Sequence, residues 1–384
     1  NQYGSGNFTG TAAYNLEVDA SGNIIETPGV SLLWPYEYDA TDENFIQGEG
    51  PNPIPGSTGN TGYGVNCLPI LNAGQNNTAV GANTGLNLED SSDNVLIGFD
   101  TGRNFRPAGT PCDRNTLVGS RITFSLNPQG DDNTCVGYQA GSNIDTGFKN
   151  VFLGSDAGRT VSIGADNIAI GYKALEAPGG STRNIAIGLG ALDQPDSEND
   201  NIAIGYDAMA GPINAATLNI AIGNWSLDAL TTGDNNTAVG AGALGAITTG
   251  ADNTAVGWGA LAATNHSRNM GIGYRALTAQ SGSSDNIAIG YDTLVRQTTG
   301  ANGNIAIGNY AGRAVVSSAS TSQLVAIGHS VASNASGALA GYQNCFVGYN
   351  IASASGLAGA FRNTALGANA LTDLTTGDNN TTLG

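Results

Sequence analysis

Apolar and polar residues alternate along this chain in short bursts of one recurring pattern, Asn-x-x-(Ile/Val/Leu)-Gly. Its asparagine slot falls at positions 77, 94, 115, 133, 150, 167, 184, 201, 219, 236, 253, 269, 286, 304, 324, 344, 363 and 380. That makes eighteen copies, mostly 17 or 18 residues apart, and Leu324 stands in the one slot without asparagine. In Asn167-Ile168-Ala169-Ile170-Gly171, side chains alternate between two faces, so Ile168 and Ile170 share one and Ala169 takes the other. A run this short, bounded by glycine and by turn-formers such as TTGDNN at 231–236, suits a strand and not a helix. Each period predicts a strand, a glycine corner, a second short segment such as Tyr172-Lys173-Ala174-Leu175, and a loop back.

A unit of this size cannot close its own core, but stacking each on the next can. The pattern therefore predicts an all-β chain, a parallel β-solenoid of about eighteen coils that would be on the order of 85 Å long at strand spacing. The fourth slot is always Ile, Val or Leu and is expected to form the inner face. The middle slot is small in most later copies, as at Ala169, Ala186, Ala203, Ala221, Ala238 and Ala255. A strand apolar on both faces is normally covered on both sides. The alanine face is thus expected to meet a partner surface, in a trimer or another tight bundle. The alternative is a thin single-chain solenoid whose alanines line a narrow interior. Thr78, Thr116, Thr134, Thr237 and Thr254 share a slot with isoleucines and are expected to point inward, which argues against an ice-binding threonine ladder.

The run Asn-(Ile/Thr)-Ala-(Ile/Val)-Gly-x-x-Ala-Leu resembles the head repeats of trimeric autotransporter adhesins and the repeat shafts of phage and viral tail fibres. The resemblance covers roughly residues 71–384. It implies a left-handed β-roll, three chains wound side by side, and a role in attachment to host surfaces. The coil is longer here than in the adhesin heads. The second segment reads Ala-Leu at Ala174-Leu175, Ala191-Leu192, Ala243-Leu244 and Ala260-Leu261, where that family more often carries small polar residues.

Residues 1–70 lack the pattern and read as a separate attachment or capping segment. Ala13 to Thr27 predicts a hairpin, Trp34 to Glu43 is aromatic and acidic, and Gly48 to Gly64 resembles a linker. The segment would either shield the first coil or join the rod to a base. Because the last copy stops at Gly384 within a repeat, the natural protein is expected to continue there or to meet another subunit.

Composition narrows the function. With 57 glycines, 11% charged residues and a formal charge of −18, the chain is neither disordered nor suited to phosphate backbones, so nucleic acid is not expected as a partner. No apolar run approaches a membrane span. Cys67, Cys112, Cys135 and Cys345 lack metal-site spacing and read as buried free thiols. His266 and His329 have no carboxylate or nucleophile near them in sequence, so no catalytic centre and no cofactor are expected. Scattered loop aspartates leave room for calcium, without the dense Gly/Asp series of calcium-binding rolls.

Two columns of side chains stand out. The slot before the asparagine alternates in sign through Asp93, Arg114, Asp132, Lys149, Asp166, Arg183 and Asp200, and again through Asp252, Arg268 and Asp285. Stacked coils would make this a salt-bridge ladder. The slot after the strand glycine is aromatic at Phe99, Tyr138, Tyr172, Tyr206, Trp258, Tyr274, Tyr291 and Tyr349. These rings either stack sugars or pack along a corner. The reading is a non-enzymatic fibre, extracellular or on a cell surface or virion, forming a homotrimer and presenting an attachment site to a host glycan or protein. The alternatives are a carbohydrate-binding fibre using the aromatic row and a self-polymerising filament subunit.

Overall fold

The computed structural model describes residues 57–384 apart from 104, 106–110, 124–128, 177–178, 195–197, 264, 280–281, 297–300, 314–322, 334–342, 354–359 and 374–376. It also describes four earlier strands, β1 (Tyr14–Val18), β2 (Ile24–Pro28), β3 (Tyr36–Asp39) and β4 (Asn44–Gln47). β1 and β2 pair antiparallel from Tyr14↔Pro28 to Val18↔Ile24, the hairpin expected of this segment. Its turn, most of the acidic and aromatic patch, and residues 48–56 lie outside the described residues.

From Thr61 onward the chain is a parallel β-solenoid. Nineteen strands, β5 to β23, begin at residues 61, 78, 95, 116, 134, 151, 168, 185, 202, 220, 237, 254, 270, 287, 305, 325, 345, 364 and 381. Each is three residues long except the five-residue strands at 345–349 and 364–368. Each pairs in register with the next, as in Ile168↔Ile185, Ala169↔Ala186 and Ile170↔Ile187. The solenoid begins before the boundary read from the motif. Thr61–Tyr63 pairs parallel with Thr78–Val80, and Phe45–Gln47 pairs parallel with Thr61–Tyr63.

Three left-handed corners per coil bend the chain round. In one coil they are Asp166 (φ 58), Lys173 (φ 58) and Leu175 (φ 53), and in the next Arg183, Gly190 and Leu192. No Val, Ile or Thr occupies such a corner among the described residues, as sterics demand of β-branched side chains. The seven residues of the alternating charge column all sit at the first of these corners. The strand-ending glycines are required by crowding as well as by conformation. A Cβ on Gly188 would come within 2.2 Å of the Gly205 carbonyl oxygen in the adjoining coil.

The inner and outer strand faces are the reverse of the expectation. Ala169, Ala186, Ala203, Ala221, Ala238 and Ala255 are fully buried, whereas the flanking isoleucines and valines are half-buried or exposed. The Thr78, Thr116, Thr134, Thr237 and Thr254 side chains share that outer face, not the core. The reason is room. A coil of about 17 residues encloses a thin interior that the Leu175-type corner residue largely fills, leaving space for a methyl opposite. Where the middle slot is large the corner residue shrinks. Phe152 lies within 2.6 Å of where a Cβ on Gly158 would stand, and Leu96 within 2.9 Å of one on Gly102. Cys67, Cys112 and Cys135 are buried free thiols, and burial pushes Cys67 up to about 11 and Cys112 up to about 12.

The recurring asparagines form a buried ladder. The Asn184 N–H and Nδ2 both donate to Asn167 Oδ1, at 3.0 and 3.2 Å, while Nδ2 also donates to the Glu198 carbonyl at 2.8 Å. Its own Oδ1 accepts from the Asn201 N–H at 2.9 Å. The same linkage runs from Asn60 to Asn304 and from Asn344 to Asn380. Leu324 interrupts it. Its N–H still reaches Asn304 Oδ1 at 2.9 Å, but an isobutyl group has no oxygen for the next coil.

Two stability measurements test this architecture. Asn184→Ala strands the buried Asn201 N–H and Glu198 carbonyl, and we expect thermal or denaturant melts to show a loss of about 2–4 kcal/mol, while Leu324→Asn gains about 1 kcal/mol by rejoining the ladder. Ala203→Phe overpacks a core lined by Met209 and should lose about 1–3 kcal/mol, and adding Met209→Gly, which recreates the Phe152/Gly158 pairing, should recover much of it. Equal stability of the single and double variants would contradict the volume argument.

Candidate functional surface

Because alanine faces inward, the first and third strand slots form two aliphatic columns on the outside. One holds Val95, Val151, Ile168, Ile185, Ile202, Ile220, Met270, Ile287, Ile305 and Val325, interrupted by threonines and by Cys345. The other, from Val80 through Ile170, Ile187, Ile204 and Ile272 to Leu383, is Ile, Val or Leu at every level. Leu153 is 44% exposed and Leu366 51%. Pairing between coils satisfies the backbone of these strands, so the face is not an open sheet edge but a flat apolar strip.

The post-glycine slot stands two residues further on and carries the aromatic row. Trp258, Tyr274 and Tyr291 stack on one another with ring centroids 5.1 and 5.0 Å apart and planes within 13° and 9°. The run continues edgewise through Tyr310 to His329, which stacks in turn on Tyr349. Tyr206 packs edge-on against Trp225 at 5.5 Å, Tyr138 lies beneath the Arg121 guanidinium, and Tyr172 beneath the Lys173 ammonium. Each of the six rings read as a sugar-stacking candidate thus has a protein neighbour at its ring, and in the central stack Tyr274 is covered on both faces by Trp258 and Tyr291. This geometry favours the corner-packing alternative.

The charge column is brought together in part. Arg114 grips Asp132 through Nε–Oδ1 at 2.6 Å and Nη2–Oδ2 at 3.1 Å, Arg183 grips Asp200 at 2.6 and 2.7 Å, and Arg268 grips Asp285 at 2.6 and 3.1 Å. Every arginine reaches the following coil. No ion pair joins Asp93 to Arg114, Asp166 to Arg183, or Lys149 to either neighbour among the described residues. Asp93 accepts instead from the Asn76 carboxamide at 3.0 Å, and the Lys149 ammonium lies over the Phe148 ring. The column is a set of bidentate clasps, all exposed, rather than a continuous ladder.

A second set of charges was not singled out in the sequence. Glu176, Asp193, Asp207 and Asp228 line neighbouring coils, and the Asp207 carboxylate fills space left by Gly190, 2.4 Å from where a Cβ would be. Burial, then the nearby Asp207 and Glu176, push Asp193 above the usual carboxylate range, and burial, then Asp207, do the same to Asp228. Glycine at this corner recurs at Gly242 and Gly259 without such crowding, so the residue type alone did not signal it. Among the described residues no group of three or more acidic, histidine or cysteine side chains is placed to hold a metal ion, and no helix is long and apolar enough to cross a membrane.

These carboxylates set an acid response of definite sign. Asp193 and Asp228, raised on folding, contribute stability that is full below the unfolded value of about 3.9 and is lost as pH rises through their folded values. Asp132, Asp200 and Asp285 are held low by their arginine hydrogen bonds, so their contribution is present above about 3.9 and is lost as pH falls below it. We expect the melting temperature to rise as pH falls through the folded values of Asp193 and Asp228, which lie above about 3.9, and the arginine-clasped carboxylates to withdraw their contribution as pH falls below that value. Asp193→Asn with Asp228→Asn should flatten the rise, and an unchanged profile in that variant would refute the assignment. No known protein family, curated protein or solved structure matches the chain.

Proposed function

We propose that the protein is a structural fibre, a shaft that self-associates in parallel through its outward aliphatic face. As a homotrimer at a cell surface or virion, it would hold an attachment site away from that surface. The unbroken outer column of Ile, Val and Leu carries this reading. A strip about 85 Å long and about 10 Å wide covers on the order of 800 Å² per copy, the size of a standard protein–protein interface and above the few hundred Å² that monomers usually leave bare. Three copies around an axis cover that strip on each, in keeping with the resemblance to adhesin heads and tail-fibre shafts. Closed parallel symmetry sets each level against its equivalent, threonine against threonine and isoleucine against isoleucine.

Nothing in this role requires catalysis. His329 is packed between Tyr310 and Tyr349, and the His266 carbonyl serves the asparagine ladder by accepting from Asn253. The regular coils supply stiffness, and the net charge of −18 keeps separate fibres apart.

Light scattering at micromolar concentration should give the mass of three chains, and Ile187→Arg with Ile204→Arg should give one chain with an unchanged β-sheet circular dichroism spectrum. A monomeric parent would sink the proposal. Cys345 lies in the outward column, so mild oxidation of a parallel assembly should yield disulfide-linked pairs that Cys345→Ser abolishes. Cross-linking with no dependence on Cys345 would rule out the parallel register.

A further inference from the structure

The outer aliphatic column and the aromatic row bound a groove that has ligand-binding character of its own. Over three coils one wall is Val256, Ile272 and Ile289, and the other is the exposed stack of Trp258, Tyr274 and Tyr291. Between them run Gly257, Gly273 and Gly290, with φ of 133°, 129° and 136°. Cβ atoms there would approach the adjoining glycine's backbone to 2.5, 2.3 and 2.7 Å, so the floor can carry no side chain. The walls are two residues apart, about 6.6 Å between backbone positions, and levels repeat every ~4.8 Å along the axis. The aromatic run starts after Ala241 and gives way to Asn309 in the same slot, which leaves the trough open at both ends.

A pyranose matches this trough poorly, since the stacked rings turn their faces on one another along the axis and present their edges to the trough. A long planar molecule lying along the axis matches it well. Its π face meets the row of ring edges, the favoured edge-to-face arrangement, and its other side rests on the isoleucines. Its length is read by several identical levels at once. Charge selects among such molecules. The chain as a whole carries −18, although beside the groove Arg275 and Arg313 share the one buried carboxylate of Asp292, at 3.8 and 3.6 Å. The field therefore draws cations and repels anions.

We propose that this glycine-floored groove binds elongated, planar, cationic aromatic molecules along the solenoid axis, spanning about three coils. The aliphatic wall belongs to the same outer column that carries the proposed self-association, so the probe is titrated both into the parent and into the Ile187→Arg, Ile204→Arg chain, in which that column is left uncovered.

Thioflavin T is the probe. Titrated into the full chain, it should give a saturable fluorescence increase of at least about tenfold with micromolar affinity, as expected for a dye immobilised in a groove without a charged anchor. Tyr274→Ala with Tyr291→Ala should abolish the increase, while Tyr274→Phe with Tyr291→Phe keeps it, both judged against an unchanged circular dichroism spectrum. If the alanine variant does not fold, the parent still decides the matter. Bound dye should quench tryptophan emission, and Trp258→Phe should remove most of that quenching. No enhancement by either the parent or the Ile187→Arg, Ile204→Arg chain, enhancement that survives loss of both tyrosine rings, or quenching untouched by Trp258→Phe would each overturn the proposal. Equal or tighter binding of anionic Congo red would overturn its charge selectivity.

Discussion

A buried asparagine carboxamide has an oxygen and an amide group to satisfy, and in this molecule only the adjoining coils can do it. Asn184 donates its backbone and side-chain N–H groups to the Asn167 oxygen on one side and accepts the Asn201 N–H at its own oxygen on the other, fully out of water. A buried polar group left unpaired costs about 1–3 kcal/mol, so each coil is held in register by the penalty of slipping as much as by the bonds formed. The strand pairing, the glycine corners that almost touch between coils and the in-line aromatic and charge columns all presuppose that register. Even the interruption at Leu324 keeps it, because the leucine N–H still donates to Asn304.

Register then decides chemistry. Once equivalent residues recur at strand spacing, a single side-chain type becomes a surface: isoleucines a strip, tyrosines a stack, arginine and aspartate a row of clasps. Most interactions of the solenoid run between sequence neighbours one coil apart, so stability is close to a sum of coil and interface terms. The outer strip is the exception. No part of the same chain covers it among the described residues, and contiguous apolar strips of this extent are uncommon on monomers.

The volume exchange between Phe152 and Gly158, and between Ala169 and Leu175, shows how a thin core tolerates variety. Either wall can supply the large group, and where both are small, as at Ala79 with Gly85 and Ala306 with Gly312, leucines of adjoining coils fill the space. That exchange was present in the sequence, and it identifies the middle slot as inward. Apolar bulk at Ile168 and Ile170 pointed the other way, because a hydrophobicity pattern shows which residues share a face and not which face is enclosed.

What the sequence determined by itself was the unit, its length and its parallel stacking, since each follows from a period repeated eighteen times and from what glycine can do at a corner. The charge column was legible as a column. That its arginines clasp only the following coil was not, because the choice depends on how a long side chain leaves a left-handed corner. The same limit applied to the aromatic row, whose rings were visible as a line but whose mutual stacking depends on ring rotation. Tertiary structure alone decided which strand face is inside. Enclosure depends on the cross-section of the closed coil, and that cross-section is set by three corners acting together, a quantity no local stretch of sequence contains.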